Sequence, residues 1–381
     1  MAQVCSLVCD HRQRMVPLHA SLHGSVRRFE SGSFIPLVLL LPYLGMAGSI
    51  VNADFESYQG FSYSVIFQRL AFLIIMLPMA YCIPKASHCV ALLVGWTAVS
   101  IVMFLMAALG PVSEKLFVLW WIAAALWEFC LEVGMVVFLQ GDRLIKINIE
   151  HTKERLGVLV LVMMGETVIT STITYKSYAA EGTEETQYYT ILSLSFLLIF
   201  MFTLLFFNMQ PAPKDHALRR SKLTGVSLLM LNKLLGLSLL TIGACIKLSV
   251  HQVVENELLT PFLTNALKLS VGTSLTLLLA MRACHYGGKI PRPQDPPHIR
   301  ALFFSWWGIF AVAAAFPFVA PVYSYEPTHA LAWPSGLLLV MCVIESMFTH
   351  VLEEHLPSEE TAPLYSNLGA DNHQPSYDAI S

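Results

Sequence analysis

The chain has 381 residues, 55% of them hydrophobic and 13% charged, with a formal net charge of −3 at pH 7 and a mean hydropathy of +0.61. Soluble domains carry about a quarter charged residues, so a soluble enzyme is excluded, and the net negative charge leaves no electrostatic footprint for nucleic acid. The eight cysteines form no Cys-x-x-Cys pair and no secreted-type framework.

In chain order, residues 1–33 form a basic arm with Arg12, Arg14, Arg27 and Arg28 and no apolar core of a secretory signal. Cys5, Cys9 and His11 lie on this arm, and mobile His and Cys of this kind usually bind nothing. A spanning helix needs about 20 mostly apolar residues. The hydropathy pattern predicts such helices at 34–51, 65–83, 87–109, 116–139, 156–175, 188–208, 223–248, 258–282, 300–320 and 331–350. The fold class that follows is an all-α integral membrane protein, with about ten transmembrane helices in one bundle over 34–350. The connections are short, and no linker separates two domains.

Charge provides an independent check, because cytoplasmic loops collect Lys and Arg. With the N-terminus inside, seventeen of the 23 Lys and Arg fall in the alternate, inside segments. The opposite side holds Lys115, Lys176 and Lys247, and the helices hold Arg69, Lys233 and Lys268. A missed helix would scramble this alternation, so both termini are expected in the cytosol. Residues 351–381 are acidic and rich in proline, the composition of a disordered tail. The tail carries two Tyr-x-x-apolar motifs, Tyr365 to Leu368 and Tyr377 to Ile380. Clathrin adaptors read such motifs, so the expected location is the plasma membrane or the endosome and lysosome of a eukaryotic host. The pattern is short, and chance is the competing reading.

Ionisable residues inside a bilayer are costly and mark a pathway, a relay or a structural pair. Here they are Arg69, Glu128, Glu132, Glu166, Lys233, Lys268 and Glu345. Glu128 and Glu132 are four apart, hence on one face of an unbroken helix, where two like charges favour sharing one proton. One reading is a proton- or cation-coupled path. The other is a set of ion pairs such as Glu128 with Arg69. Glu345 lies near enough to its helix end for snorkelling to satisfy it.

The segment with most information enters the fifth helix as Glu150-His151-Thr152-Lys153-Glu154-Arg155-Leu156-Gly157 and continues to Gly165-Glu166-Thr167-Val168-Ile169. His151, Glu154 and Arg155 cluster on a helix surface at i, i+3, i+4. Arg155 and Glu166 are eleven apart, almost three turns, so one stripe leads from a polar mouth to a carboxylate about 16 Å deeper. Gly157 and Gly165 would let another helix approach closely. The geometry suits a proton relay, and the duller reading is a headgroup anchor. A metal site is disfavoured, because a single histidine stands at ligand spacing. The string His-x-x-Glu-Arg-x-Gly followed by Gly-Glu-x-Val-Ile resembles the signature of the low temperature requirement A family of polytopic membrane proteins. Weaker likenesses are Gln68-Arg69-Leu70, Leu126-Trp127-Glu128 and Gly243-Ala244 with Lys247-Leu248. The resemblance implies a multi-helix membrane fold over about 34–350. It also implies a leading helix with a Glu-Leu-Phe-Phe-Asp-Leu-Val-Phe-like string, which this chain lacks, and a histidine where the seventh helix has Asn232-Lys233.

The sequence shows no Ser-His-Asp arrangement, His-Glu-x-x-His, aspartyl pair or phosphate-binding loop, so neither an enzyme nor a cofactor is expected. The function expected is a transporter or channel, proton- or ion-linked. A receptor or sensor with structural ion pairs is the alternative.

Overall fold

The computed structural model of the protein describes residues 58–82, 87–109, 114–139, 149–178, 185–210, 216–254, 257–285, 296–320 and 325–355. The first expected span, the basic arm and the tail motifs at Tyr365, Leu368, Tyr377 and Ile380 lie outside these residues. The chain divides into two compact units, Met1–Asn148 and Ile149–Ser381.

The first unit contains α1 (Tyr58–Cys82), α2 (Ser87–Leu109), α3 (Glu114–Phe129) and α4 (Leu131–Phe138). The second contains α5 (Ile149–Tyr178), α6 (Glu185–Asn208), α7 (Ala217–Arg220), α8 (Lys222–Val254), α9 (Pro261–Cys284), α10 (Pro297–Val319) and α11 (Pro327–His355). Long apolar runs make these helices because a bilayer core offers the backbone no other hydrogen-bond partner. Local chemistry starts some of them. The Thr260 hydroxyl accepts from Leu263 N at 3.3 Å with Pro261 opening α9, and α10 opens on Pro297.

Among the described residues, seven helices are long and apolar enough to cross a membrane: α1, α2, α6, α8, α9, α10 and α11. They match the second, third and sixth to tenth expected spans. The fifth falls within α5, whose 30 residues reach about 45 Å. The fourth, expected as one helix over 116–139, is instead a pair, α3 and α4, bent by 45° at Cys130. Kinks arise where a side chain inserts into the helix, and the insertion here is Trp96 of α2. Its ring stacks on Trp127 at a centroid distance of 4.1 Å. Past the bend, a Cβ on Gly134 would lie 2.7 Å from the same indole, so only glycine lets the chain turn there. The indoles also clamp one another. Trp96 Nε1 donates to Trp127 O at 2.8 Å, and Trp127 Nε1 to Trp96 O at 2.9 Å. The break corrects the expectation that Glu128 and Glu132 share a helix face, since they now lie on different helices.

The core of the second unit is built from Phe202, Phe206, Leu235, Ile246, Leu267, Trp306 and Leu338, all buried. Large apolar side chains such as Leu223, Phe262, Val312 and Val319 face outward. That distribution suits a lipid environment, where apolar residues are equally welcome outside. Burial then gains little over lipid, and close packing with interhelical hydrogen bonds, each about 0.6 kcal/mol on average, selects the arrangement. Ser238 of α8 meets Ser274 of α9 at 2.7 Å and donates to Ser270 O at 2.9 Å. Ser335 of α11 reaches Leu194 O of α6 at 3.1 Å.

Candidate functional site

In the first unit three helices converge on one charge cluster. Arg69 of α1 pairs with Glu128 of α3 through Nη2 and Oε2, and Ser100 of α2 donates to the other carboxylate oxygen. Both charged side chains are partly buried, at 23% and 27% exposure, and Ser100 is fully so. The Trp96–Trp127 clamp sits one residue before Glu128 and holds α2 against α3. Trp121 Nε1 donates to Ser62 Oγ at 3.1 Å and ties α3 to α1. The carboxylate thus has a cation on one oxygen and a hydroxyl on the other, the arrangement that makes a low-dielectric ion pair tolerable.

In the second unit the polar groups gather at one end. A cavity of about 20 Å³ is lined by Lys153 and Leu156 at the start of α5, Met209 and Gln210 just past the end of α6, Leu228 and Asn232 in the first half of α8, and Arg282 and His285 at the end of α9. His216, which caps α7, joins them. Two helices begin here and two end, so α5, α6, α8 and α9 alternate in direction. Met163 of α5 and Gly236 of α8 meet further along, where a Cβ on the glycine would lie 2.6 Å from the Met163 sulfur. The seam between α5 and α8 therefore runs inward from the cavity.

Both histidines at this end are buried, 3% and 5% exposed, with rings 4.9 Å apart. His285 Nδ1 accepts from Ala217 N at 3.0 Å, and His216 Nδ1 from Leu218 N at 3.3 Å. An Nδ1 that accepts leaves the neutral ring's proton on Nε2. Burial, then His216, Arg282 and Lys153, hold the His285 pKa down to about 3 from 6.5, so this ring is neutral at physiological pH. Arg282 Nη1 donates to Met209 O at 2.7 Å, one residue past the end of α6. Asn232 is 1% exposed, and neither its Oδ1 nor its Nδ2 meets a hydrogen-bond partner among the described residues. An unsatisfied buried amide is rare in native proteins, and each instance calls for a water, an ion or a functional reason.

The other sequence-flagged residues fall as follows. Position 151 lies in the first turn of α5, and position 166 lies in the same helix. The side chains of His151 and Glu166 are outside the described residues. Glu154 is exposed, and Arg155 and Lys233 are half-buried. Gly157 makes a close approach, 3.2 Å from its virtual Cβ to the Phe207 ring, whereas Gly165 meets no described atom within 4 Å. Lys268 donates to Ala320 O at the end of α10, a cation placed on the negative end of a helix dipole. Glu345 corrects the snorkelling expectation. It is 1% exposed and accepts from Trp306 Nε1 at 2.6 Å. Sequence reasoning passed over His216, His285 and Arg282 as a group, because His216 lies 66 residues before Arg282 and 69 before His285. The sequence signals that pointed to this end were the polar string His151 to Arg155 and the doublet Asn232-Lys233.

No curated protein and no solved structure matches the chain. The family model described as Bacterial low temperature requirement A protein (LtrA) matches residues 33–344, most of the chain's length. The chain, an integral membrane protein by its long apolar helices, therefore belongs to the low temperature requirement A family.

Proposed function

We propose that this protein is a transporter or channel, proton- or ion-linked, whose polar path enters at the cavity end of the second unit and follows the α5–α8 seam toward Glu166. The observation that carries this reading is Asn232, a buried amide with no hydrogen-bond partner among the described residues, at a water-sized cavity and at the head of a seam leading to the helix that bears Glu166. His151, Glu154 and Arg155 lie on the first turns of α5 at the same end, as a mouth would require, and Lys233 neighbours Asn232. Ten spans with cytosolic termini accord with the positive-inside count and put this end on the cytosolic face. The tail motifs at Tyr365 and Tyr377 then lie where adaptors could sort the protein to the plasma membrane or endosomes and lysosomes. Neither an enzymatic step nor a cofactor enters the proposal. The test is pH-driven flux into proteoliposomes holding the purified protein, with Glu166→Gln beside it. Flux in the parent that collapses in the variant is the result expected, and flux unchanged by the substitution removes Glu166 from the path.

The first unit favours a second reading, a receptor- or sensor-like bundle without transport. Arg69 and Ser100 each meet one oxygen of the Glu128 carboxylate, which is what a structural pair does. Glu132, on the far side of the bend from Glu128, has no assigned part in that pair. On this reading the swap Arg69→Glu with Glu128→Arg restores the folded yield that either single change loses. A double variant that folds no better than the singles argues against it.

A further inference from the structure

A path from the cavity to Glu166 has to pass between α5 and α8. On α5, Leu156, Val160 and Met163 are spaced i, i+4 and i+7, on one face of the helix. Leu156 lines the cavity, and Val160 is fully buried. On α8, Asn232 of the cavity wall is followed one turn later by the buried Gly236. Both helices run inward from the same end, and they meet where Met163 enters the space that a side chain at position 236 would occupy. A Cβ on Gly236 would lie 2.6 Å from the Met163 sulfur and 2.7 Å from its terminal methyl. The neighbouring Met164 turns to α6, where its sulfur meets the Thr203 hydroxyl. Of the two methionines, Met163 is the one that fills the seam.

Depth gives this contact its meaning. Gly236 lies about 6 Å further in than Asn232, and position 166 lies about 4.5 Å beyond Met163, at about 1.5 Å rise per residue. Met163 therefore stands between the cavity and position 166, on the inner side of an amide that has no partner among the described residues. A proton or ion moves along such a route only through a continuous chain of water and polar groups. A thioether donates nothing and accepts weakly, so it interrupts the chain. Apolar constrictions of this kind shut a pore by keeping water out. Methionine is also the side chain suited to yield, since it is unbranched with three rotatable bonds, and rotation about them withdraws it from the notch without moving either helix.

We infer that Met163 is the gate of the path: seated in the Gly236 notch, it keeps the seam dry between the Asn232 cavity and position 166, and its withdrawal lets water through. The inference rests on the transport reading for its purpose, while the dry seam is a property of the packing, measurable without any transport.

The test is deuterium uptake by the full chain in nanodiscs, read by mass spectrometry over positions 160–169 of α5, beside the pH-driven flux assay. Expected in Met163→Ala is a several-fold faster uptake over these positions, with α9 and α10 as slow as in the parent, and a faster flux that still requires Glu166. Met163→Leu, close in apolar volume, keeps the parent's rates. Should Met163→Ala fail to fold, Gly236→Ala carries the same test, because its methyl would meet the far end of a flexible side chain and expel the thioether rather than move the backbone. Unchanged uptake over 160–169 overturns the gate. A rise shared equally by α9 and α10 marks a loosened bundle and overturns it too. Faster uptake without flux from any of the proteins keeps the barrier to water and sinks the transport reading. Flux that Glu166→Gln abolishes, with flux and uptake both untouched by Met163→Ala, does the reverse.

Discussion

The two units handle intramembrane polarity in opposite ways. In the first, Glu128 has one oxygen on Arg69 and the other on Ser100, and two indoles lock the supporting helices, so the charge is neutralised on the spot. In the second, Lys153 and Arg282 line one small cavity beside a buried amide that has no partner among the described residues. A closed cluster contributes rigidity. An open one stores binding capacity, because an unmet donor in low dielectric is compensated as soon as something arrives to accept from it. The comparison assigns stability to one unit and ligand chemistry to the other, and each of the following measurements can break that assignment.

The largest effect belongs to the closed cluster. Arg69→Met leaves Glu128 partly buried with Ser100 as its remaining partner, and the cost expected is about 3 kcal/mol of unfolding free energy. Thermal unfolding in nanodiscs reads it. The companion variant Arg69→Met with Glu128→Leu recovers most of the loss, since removing both charges also removes the uncompensated one. If the double variant stays as unstable as the single, the pair is doing more than neutralising itself.

Next is Trp306→Phe, which takes the 2.6 Å indole donor from Glu345 while keeping the ring that stacks on Phe310 at 4.3 Å. A buried acceptor that loses a donor costs about 1–3 kcal/mol. A smaller shift in midpoint would mean that Glu345 has room to find a substitute, making the second unit more open than the cavity alone indicates.

How much of this was legible in the sequence depends on the range of the interaction. Apolar runs are local, and they marked the seven long helices closely. The 45° break at Cys130 was not visible, because its cause is Trp96 of another helix wedged against Gly134, and the pattern within 116–139 does not reveal that partner. Arg69 with Glu128 was foreseeable as a pair because rare opposite charges in a membrane seek each other. The cavity end was not, since His216, Arg282 and Lys153 all read as ordinary loop and interface residues until the helix ends assemble. Glu345 misled for a similar reason. Distance to a helix end suggested an escape to water, but α11 continues to His355 and the side chain turns to Trp306 instead.

Acid sharpens the comparison from the other side. His285 is held at about 3 in the folded chain, below its ordinary 6.5, so the unfolded chain binds the proton first. Stability from this group is therefore fully present above pH 6.5 and is lost as pH falls from 6.5 toward 3, at about 1.4 kcal/mol per pH unit. Protonating Nδ1 also removes the acceptor for Ala217 N, which loosens α7 from the end of α9. His285→Gln should flatten the pH dependence of the unfolding midpoint over that window. Retention of the parent's slope would move the titration to another group.

The smallest effect is the most diagnostic. Asn232→Leu replaces an amide lacking described partners by an apolar group of similar shape, and exchanging an unsatisfied polar group for an apolar one is close to neutral or stabilising, by about 1 kcal/mol at most. A gain in the unfolding midpoint is the signature of an amide that the fold leaves unmet. A destabilised variant would mean that Asn232 is already satisfied by a permanent water, and the second unit would then be as closed as the first.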